Sequence, residues 1–160
     1  VLTAANVMER PRPVVTASGG PRVALRQMRD GYSSAAYVVG RDRRLLGVIS
    51  DRDAMALVRK GERDLSSVLR PVAQSVRADE ILINLFVPAV ESPLPLAVVD
   101  DEGRLLGVIP RVTLLAALGP GPGATGEITV PVIPLPTTEI DQVLAETATR
   151  GDASSEQEVR

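Results

Sequence analysis

The chain has 160 residues, of which 44% are hydrophobic and 24% charged, with a formal net charge of −2, a composition typical of one globular domain. It contains no Cys and no His, which excludes thiol nucleophiles, disulfides, imidazole catalysis and the usual zinc sites. Only three residues are aromatic, so we do not expect the stacking platforms that bind single-stranded nucleic acid.

The charge is distributed unevenly along the chain. Residues 1–60 carry a net charge of +6, residues 61–118 of −3 and residues 119–160 of −5. The basic part favours binding of phosphate, of an anionic surface or of the acidic part of a second copy; the alternative is that its arginines form solvated surfaces. The sequence has neither a long apolar run nor an export signal, and we expect a cytoplasmic protein. Because it begins with Val1, we also expect a fragment of a longer protein.

In chain order, the first half is predicted to form a helical turn, a strand, a helix, a hairpin and a second helix. Pro21, after two glycines, favours the start of the first helix, and Gly61 favours the end of the second. A polar turn over residues 40–43 separates the two apolar strands of the hairpin. The predicted ranges are residues 3–8, 13–16, 21–30, 35–39, 44–49 and 51–60.

The second half is predicted to repeat this order of elements. Its ranges are residues 65–69, 74–77, 79–90, 94–99, 104–109 and 111–118, with Gly119 ending the last helix. Pro88 should bend the helix over residues 79–90 or end it early.

The two halves are copies of one unit. Tyr37-Val38-Val39 and Arg44-Leu45-Leu46-Gly47-Val48-Ile49 return as Ala97-Val98-Val99 and Arg104-Leu105-Leu106-Gly107-Val108-Ile109, each 60 positions later. A constant spacing across a turn indicates a duplicated β-α-β-β-α unit that buries its apolar face against its copy. We therefore predict an α/β (α+β) fold with one repeat over residues 1–61 and a second over residues 62–119.

Residues 120–160 are predicted to be a Pro/Gly-rich linker and an acidic tail. Within them, residues 138–148 either form one weak helix with Ile140, Val143 and Leu144 on one side or, as we expect, remain an unpacked tail.

Over about residues 3–118 the chain resembles paired cystathionine-β-synthase (CBS) domains, also called a Bateman module. The strongest signature is Gly47-Val48-Ile49-Ser50-Asp51-Arg52-Asp53, which matches the family's nucleotide-site pattern of Gly, two apolar residues, Ser or Thr, two variable residues and Asp. The resemblance implies two repeats packed as a pseudo-twofold pair that bind AMP, ADP, ATP or a cyclic dinucleotide.

Particular residues carry this implied ligand site. Ser50 would contact a phosphate at a helix N-terminus, where unpaired N–H groups are expected, and Asp53 would accept the ribose hydroxyls. Arg52 would add positive charge. The other members of the implied ligand-binding set are Gly47, Asp51, Thr16, Ala36 and Tyr37.

Two observations temper the implied site. Ser50-x-x-Asp53 is also an N-terminal capping box that needs no ligand. At the equivalent positions of the second repeat, Pro110 replaces the Ser and Thr113 replaces the Asp, removing a hydroxyl and a ribose acceptor. A module that binds a mononucleotide should therefore bind one per chain.

A narrower resemblance concerns Gly20-Pro21-Arg22-Val23-Ala24-Leu25 with Met28, followed by the segment over residues 33–39. It is similar to the CBS pair at the C-terminus of ATPase subunits of glycine betaine/proline-type ABC importers. It implies osmoregulation: control of a transporter ATPase domain or permease by nucleotide or ionic strength, with possible contact to the inner face of the membrane. The chain has no phosphate-binding loop of the ATPase type, so we do not expect an enzyme.

Arg22, Arg26 and Arg29 lie at helical spacing and are the candidates for a salt-sensitive contact; otherwise they are the solvated face of their helix.

A different class of function is a structural homodimerisation module without a ligand. The apolar residues of the helices after each hairpin, Ala54, Leu57, Leu114 and Leu115, fit either intramolecular packing or a dimer. Catalysis is disfavoured, because the carboxylate pairs Asp51/Asp53 and Asp100/Asp101 are explained by caps and turns.

Overall fold

The computed structural model describes residues 1–118 and 139–148. The first repeat contains α1 (Ala4–Val7), β1 (Val14–Thr16), α2 (Gly20–Asp30), β2 (Ala35–Val39), β3 (Leu45–Ser50) and α3 (Asp51–Lys60). A 3₁₀ turn (Ser66–Val68) leads into β4 (Ser75–Arg77), a 3₁₀ helix (Leu82–Leu85), α4 (Phe86–Glu91), β5 (Leu96–Val99), β6 (Leu105–Ile109) and α5 (Arg111–Ala117). Residues 139–148 form a further helix, α6.

The predicted α/β fold is confirmed. The predicted bounds of β2 and α3 are those observed. The bounds of α3 follow from its caps, because Ser50 caps its start and Gly61 ends it at a φ of 74°. The predicted single helix over residues 79–90 was wrong at its start, because residues 79–81 are not helical and Leu82–Leu85 form a 3₁₀ helix, and Pro88 does not end the helix early. α4 begins at Phe86 and continues to Glu91, which places Pro88 in the first turn, where its missing N–H removes no intrahelical hydrogen bond.

The six strands form two three-stranded sheets, β1-β2-β3 and β4-β5-β6, each with one parallel and one antiparallel pair. The tips of the two hairpins meet across a pseudo-twofold axis. There the Leu45 N–H donates to the Gly103 carbonyl and the Leu105 N–H to the Arg43 carbonyl, both at 2.9 Å. Arg43 and Gly103, equivalent positions, both have a left-handed φ, of 66° and 79°, so the two turns share one backbone conformation.

Each repeat has its own apolar core and both contribute to a third. The core between the sheets contains Tyr37, Val39, Leu94, Ala97, Leu105 and Val108. The segment that begins each repeat, here called its lead-in (residues 3–9 and 65–70), crosses to the other repeat. Ala4 of α1 lies in the second core, and Leu65, at the start of the 3₁₀ turn, lies in the first. The two repeats therefore complete each other's cores.

α6 packs on the first repeat. Ile140 and Val143 are buried in the first core with Leu144 beside them, and Asp141 contacts Arg29 of α2 at 3.2 Å. The expectation of an unpacked tail was wrong over residues 139–148, which form the alternative, a packed helix. Thr138, Gly119 and the proposed linker lie outside the described residues.

Tyr37 ties the two repeats together. Its side chain is 1% exposed, and its hydroxyl donates to the Pro95 carbonyl of the second repeat at 2.7 Å. Burial raises the pKa of this hydroxyl above the ordinary value of a tyrosine, because a buried phenolate is poorly solvated.

We expect Tyr37→Phe to lower the free energy of unfolding by about 1 kcal/mol, because it leaves the Pro95 carbonyl without its donor. The raised pKa also predicts that the wild type loses stability as the pH rises above about 10, where the phenol ionises in the unfolded chain first. Urea denaturation between pH 7 and pH 11 measures both effects. If Tyr37→Phe shows the same alkaline loss, the loss does not originate at Tyr37.

Candidate functional site

The N-terminus of α3 lies where β3 ends and combines a hydroxyl with two carboxylates. Ser50 has an extended backbone and its Oγ accepts the Asp53 N–H at 3.1 Å. The Asp51 N–H donates to the Ser34 carbonyl at 2.8 Å, and the Arg52 N–H to Asp51 Oδ1 at 2.7 Å. The expected unpaired N–H groups of the first turn are therefore already satisfied by the protein.

The Asp53 carboxylate is not used for capping in this way. Asp53 Oδ2 lies 3.2 Å from Arg70 Nε, and the two side chains are 24% and 71% exposed. The cap therefore accounts for Ser50 and for the Asp53 N–H, whereas the Asp53 carboxylate faces the exposed side chain of Arg70 and solvent.

Gly47 allows Arg70 to reach this position. The backbone of Arg70 pairs with Val48 of β3 through hydrogen bonds of 2.8 and 2.9 Å. A Cβ on Gly47 would lie 2.6 Å from the Arg70 carbonyl oxygen, closer than any real contact. A side chain at position 47 would thus displace the segment that carries Arg70.

The equivalent place in the second repeat has a different chemistry. Pro110 occupies the N-cap of α5 without a side-chain hydrogen bond, and Thr113 Oγ1 donates to Glu9 Oε1 at 3.0 Å. Glu9 pairs with Val108 as Arg70 pairs with Val48, at 2.8 and 3.0 Å. An Asp–Arg contact in one repeat is thus replaced by a Thr–Glu contact in the other.

Arg111, which stands where the first repeat has Asp51, has a structural role. Its guanidinium donates to the carbonyls of Ala89, Val90 and Ser92 at 2.7–3.0 Å. A cation at the C-terminal end of α4 also suits the helix dipole, so this side chain joins α5 to α4.

A cleft of about 640 Å³ lies beside Pro110, between the repeats. Its charged lining comes from Glu9, Arg10, Arg12 and Asp30, and Tyr32 lines it as well.

The remaining predicted site residues are dispersed. Thr16 is paired with Val39, four residues along β2 from the partner of Ser50, or about 13 Å away at the rise of a strand. Ala36 and Tyr37 are buried in different cores, whereas Arg52 stays in the first turn of α3, next to Asp51 and Asp53, with its side chain exposed. The structure brings together Gly47, Ser50, Asp51 and Asp53, and it places Thr16 elsewhere.

Comparison with known proteins identifies the family. The CBS domain model matches residues 4–60. The glycine betaine/carnitine transport ATP-binding protein GbuA of Listeria monocytogenes is 36% identical over 118 residues, which are 74% of this chain and 30% of that protein. A CBS domain pair/ACT domain protein from Thermotoga maritima superposes with a TM-score of 0.65 at 23% identity, over 73% of this chain and 96% of that one. The chain is a CBS domain pair.

A further solved structure, CBSX2 of Arabidopsis thaliana in complex with AMP, has a TM-score of 0.59 at 24% identity and covers 74% of this chain and 96% of that one. The CBS pair is homologous to the C-terminal regions of glycine betaine transporter ATPase subunits, and it spans less than a third of the length of the curated relatives that it matches.

Arg70 and Glu9 of the CBS pair were not predicted as site residues. A signal for Arg70 is present in the sequence: Arg10-Pro11 returns as Arg70-Pro71 at the 60-residue spacing of the hairpins. Within residues 1–118 and 139–148, no cluster of three or more acidic side chains is placed to hold a metal ion. In the same part of the chain, no helix is long and apolar enough to cross a membrane.

Ser50→Ala should lower the free energy of unfolding of the CBS pair by about 1 kcal/mol, because it removes the acceptor of the Asp53 N–H. Ser50→Gly should lower it by only a few tenths of a kcal/mol, since glycine is tolerated at an N-cap. Thermal or urea denaturation compares the two variants. A Ser50→Ala variant that is as stable as the wild type would mean that the Ser50 cap does not stabilise α3.

Proposed function

We propose that the CBS pair is a regulatory module of the ATPase subunit of a transporter for glycine betaine or a related osmoprotectant. In this proposal it acts at the cytoplasmic face of the membrane by binding an adenine nucleotide beside Ser50 and Asp53. The observation that carries the proposal is the Asp53 carboxylate, which the helix cap does not use and which is accessible to a ligand.

The side chains at this site suit a ribose phosphate. Asp53 Oδ2 is engaged by Arg70, which leaves Oδ1 to accept ribose hydroxyl protons. Ser50 Oγ accepts one hydrogen bond and still has its own proton to donate to a phosphate oxygen. Since the first-turn N–H groups are occupied, the phosphate charge would be met by the guanidinium groups of Arg70 and Arg52.

The relatives support both parts of the proposal. GbuA is named as a transport ATP-binding protein, which favours a transporter ATPase as the partner. CBSX2 was solved with AMP, which favours an adenine nucleotide over other ligands. A cyclic dinucleotide is the alternative ligand for the same module.

Calorimetric titration with AMP, ADP and ATP is expected to give about one site per chain. Asp53→Ala should abolish saturable binding, because the ribose acceptor is lost. Thr113→Ala, at the equivalent position of the second repeat, is the matched control and should bind as the wild type does.

Circular dichroism must show that both variants are folded. In a transporter that carries the module, Asp53→Ala should also remove the effect of nucleotide on osmoprotectant uptake. Unchanged nucleotide binding by Asp53→Ala would refute this site.

Ionic strength is a second signal for the same regulatory function. Of the three candidate arginines on α2, Arg29 contacts Asp30 and Asp141, and its hydrogen bond to Asp141 is the main cause that raises its pKa. Arg22 and Arg26 have no ion pair among the described residues, so these two side chains remain for a salt-sensitive contact with an anionic surface.

A structural homodimerisation function is favoured by one observation, an apolar surface on the second repeat. Ile83, Val87 and Val90 lie at i, i+4 and i+7 along the 3₁₀ helix and α4, and Val112 and Leu115 lie on α5. All five are 64–72% exposed, and an unpartnered stripe of this kind is typical of a helix-packing surface. By contrast, Ala54, Leu57 and Leu114 are buried in the chain's own cores and are not available to a partner.

Sedimentation of the chain over a range of concentrations is expected to show a dimer. Val87→Glu with Leu115→Glu should give a folded monomer, because two buried, unpaired carboxylates per subunit would oppose association. Val23→Glu with Leu46→Glu, on exposed positions of the first repeat, is the control that should still dimerise. A monomeric wild type at high concentration would eliminate this function.

A further inference from the structure

A second cleft, remote from Ser50 and Asp53, is lined by a cluster of five cationic side chains. Its volume is about 740 Å³. It lies between the start of α2, the end of α3 and the loop that follows α3. Its cationic lining consists of Arg22, Arg26, Arg59, Lys60 and Arg63, with Glu62 as the one carboxylate among its lining residues.

The backbone explains why these side chains meet. Gly61 ends α3 in the left-handed conformation and its N–H bonds back to the last turn, which turns the chain toward α2. The start of α2 requires a second positive φ, at Gly20, whose missing Cβ would lie 3.8 Å from the Arg63 carbonyl. Two glycine-dependent bends thus place the loop of residues 61–63 beside the first turn of α2.

Within the part of the chain that the structure describes, no carboxylate neutralises the five cations. None of them takes part in an ion pair within the described residues, whereas Arg29, Arg44, Arg70, Arg77 and Arg104 all do. The C-terminal dipole of α3 favours Arg59 and Lys60. It does not account for Arg22, Arg26 and Arg63, which come from other elements and add repulsion unless an anion is present.

We propose that this cleft binds an anion with two or more phosphate groups. Guanidinium groups match phosphate oxygens in pairs, and the positive end of α2 faces the same space. The volume lies within the range of small-molecule sites, and Val23 and Val58 provide an apolar wall. The site is separate from the one proposed at Ser50, because the ten residues of α3 hold the two ends about 15 Å apart.

The test uses the full chain and tripolyphosphate, which lacks a nucleoside and so does not report on Asp53. Calorimetry in about 0.15 M salt should give one saturable site. Arg22→Gln with Arg63→Gln should weaken binding at least tenfold. The matched control, Arg41→Gln with Arg43→Gln, removes from the hairpin turn two exposed arginines that form no ion pair with any residue the structure describes. It should bind within about twofold of the wild type. Asp53→Ala should bind tripolyphosphate normally even if it fails to bind nucleotide.

A parallel arm distinguishes a soluble ligand from a lipid headgroup. The same variants are sedimented with vesicles of cardiolipin, whose headgroup carries two phosphates, mixed with phosphatidylcholine. Vesicle binding that is lost selectively in the Arg22/Arg63 variant, without tripolyphosphate binding, supports the phosphate site and assigns the phosphate to a lipid. Equal weakening of the two double variants, or saturable binding in neither arm, would overturn the proposal.

Discussion

The structure depends on the crossing of each lead-in segment over the hairpin of the other repeat. At each crossing two backbone hydrogen bonds join the lead-in to a hairpin strand, through Arg70 and Val48 in one case and Glu9 and Val108 in the other. Both crossings need a glycine on the strand, because a Cβ at Gly47 or Gly107 would lie within 2.8 Å of the crossing carbonyl. The helical parts of the lead-ins then complete the opposite cores, and neither core is closed by its own repeat alone.

The two crossings differ in register by one residue, and this shift distinguishes the site at Ser50 from the equivalent place in the second repeat. By the 60-residue spacing the counterpart of Arg70 is Arg10, yet it is Glu9 that pairs with Val108. Since alternate residues of an extended segment point to opposite sides, the shift turns Glu9 toward Thr113 and leaves Arg10 to line the neighbouring cleft. The second site therefore departs from the first in backbone register as well as in the replacement of Ser and Asp.

Local features of the fold were predictable from the sequence. The hairpins and α3 follow from short apolar runs bounded by polar turns, from the Ser50 cap and from Gly61. The start of α4 was not predictable, because the effect of Pro88 depends on whether it lies in the first turn or in the interior of the helix. The packing of α6 was not predictable either, because a helix this short is stable only when it packs on an apolar surface. The surface that covers Ile140 and Val143 is built from residues distant in sequence.

The same distinction applies to the candidate site. Ser50 and Asp53 are three residues apart and their relation is local, so the motif placed them correctly beside each other. Arg70 reaches Asp53 only because a segment 22 residues beyond Val48 returns to β3, and Thr16 lies apart from Ser50 because of strand register. Local patterns in a single sequence do not specify such long-range pairing.

Because the lead-ins cross, the sequence unit that was duplicated is not a unit that folds alone. The period in the sequence is 60 residues, yet a chain cut at that period would hold α1 without the core that buries it and would lack Leu65 from its own core. A single ancestral repeat with this geometry would have had to exchange lead-ins with a second molecule. The present chain keeps that reciprocal exchange within one polypeptide, where association no longer depends on protein concentration.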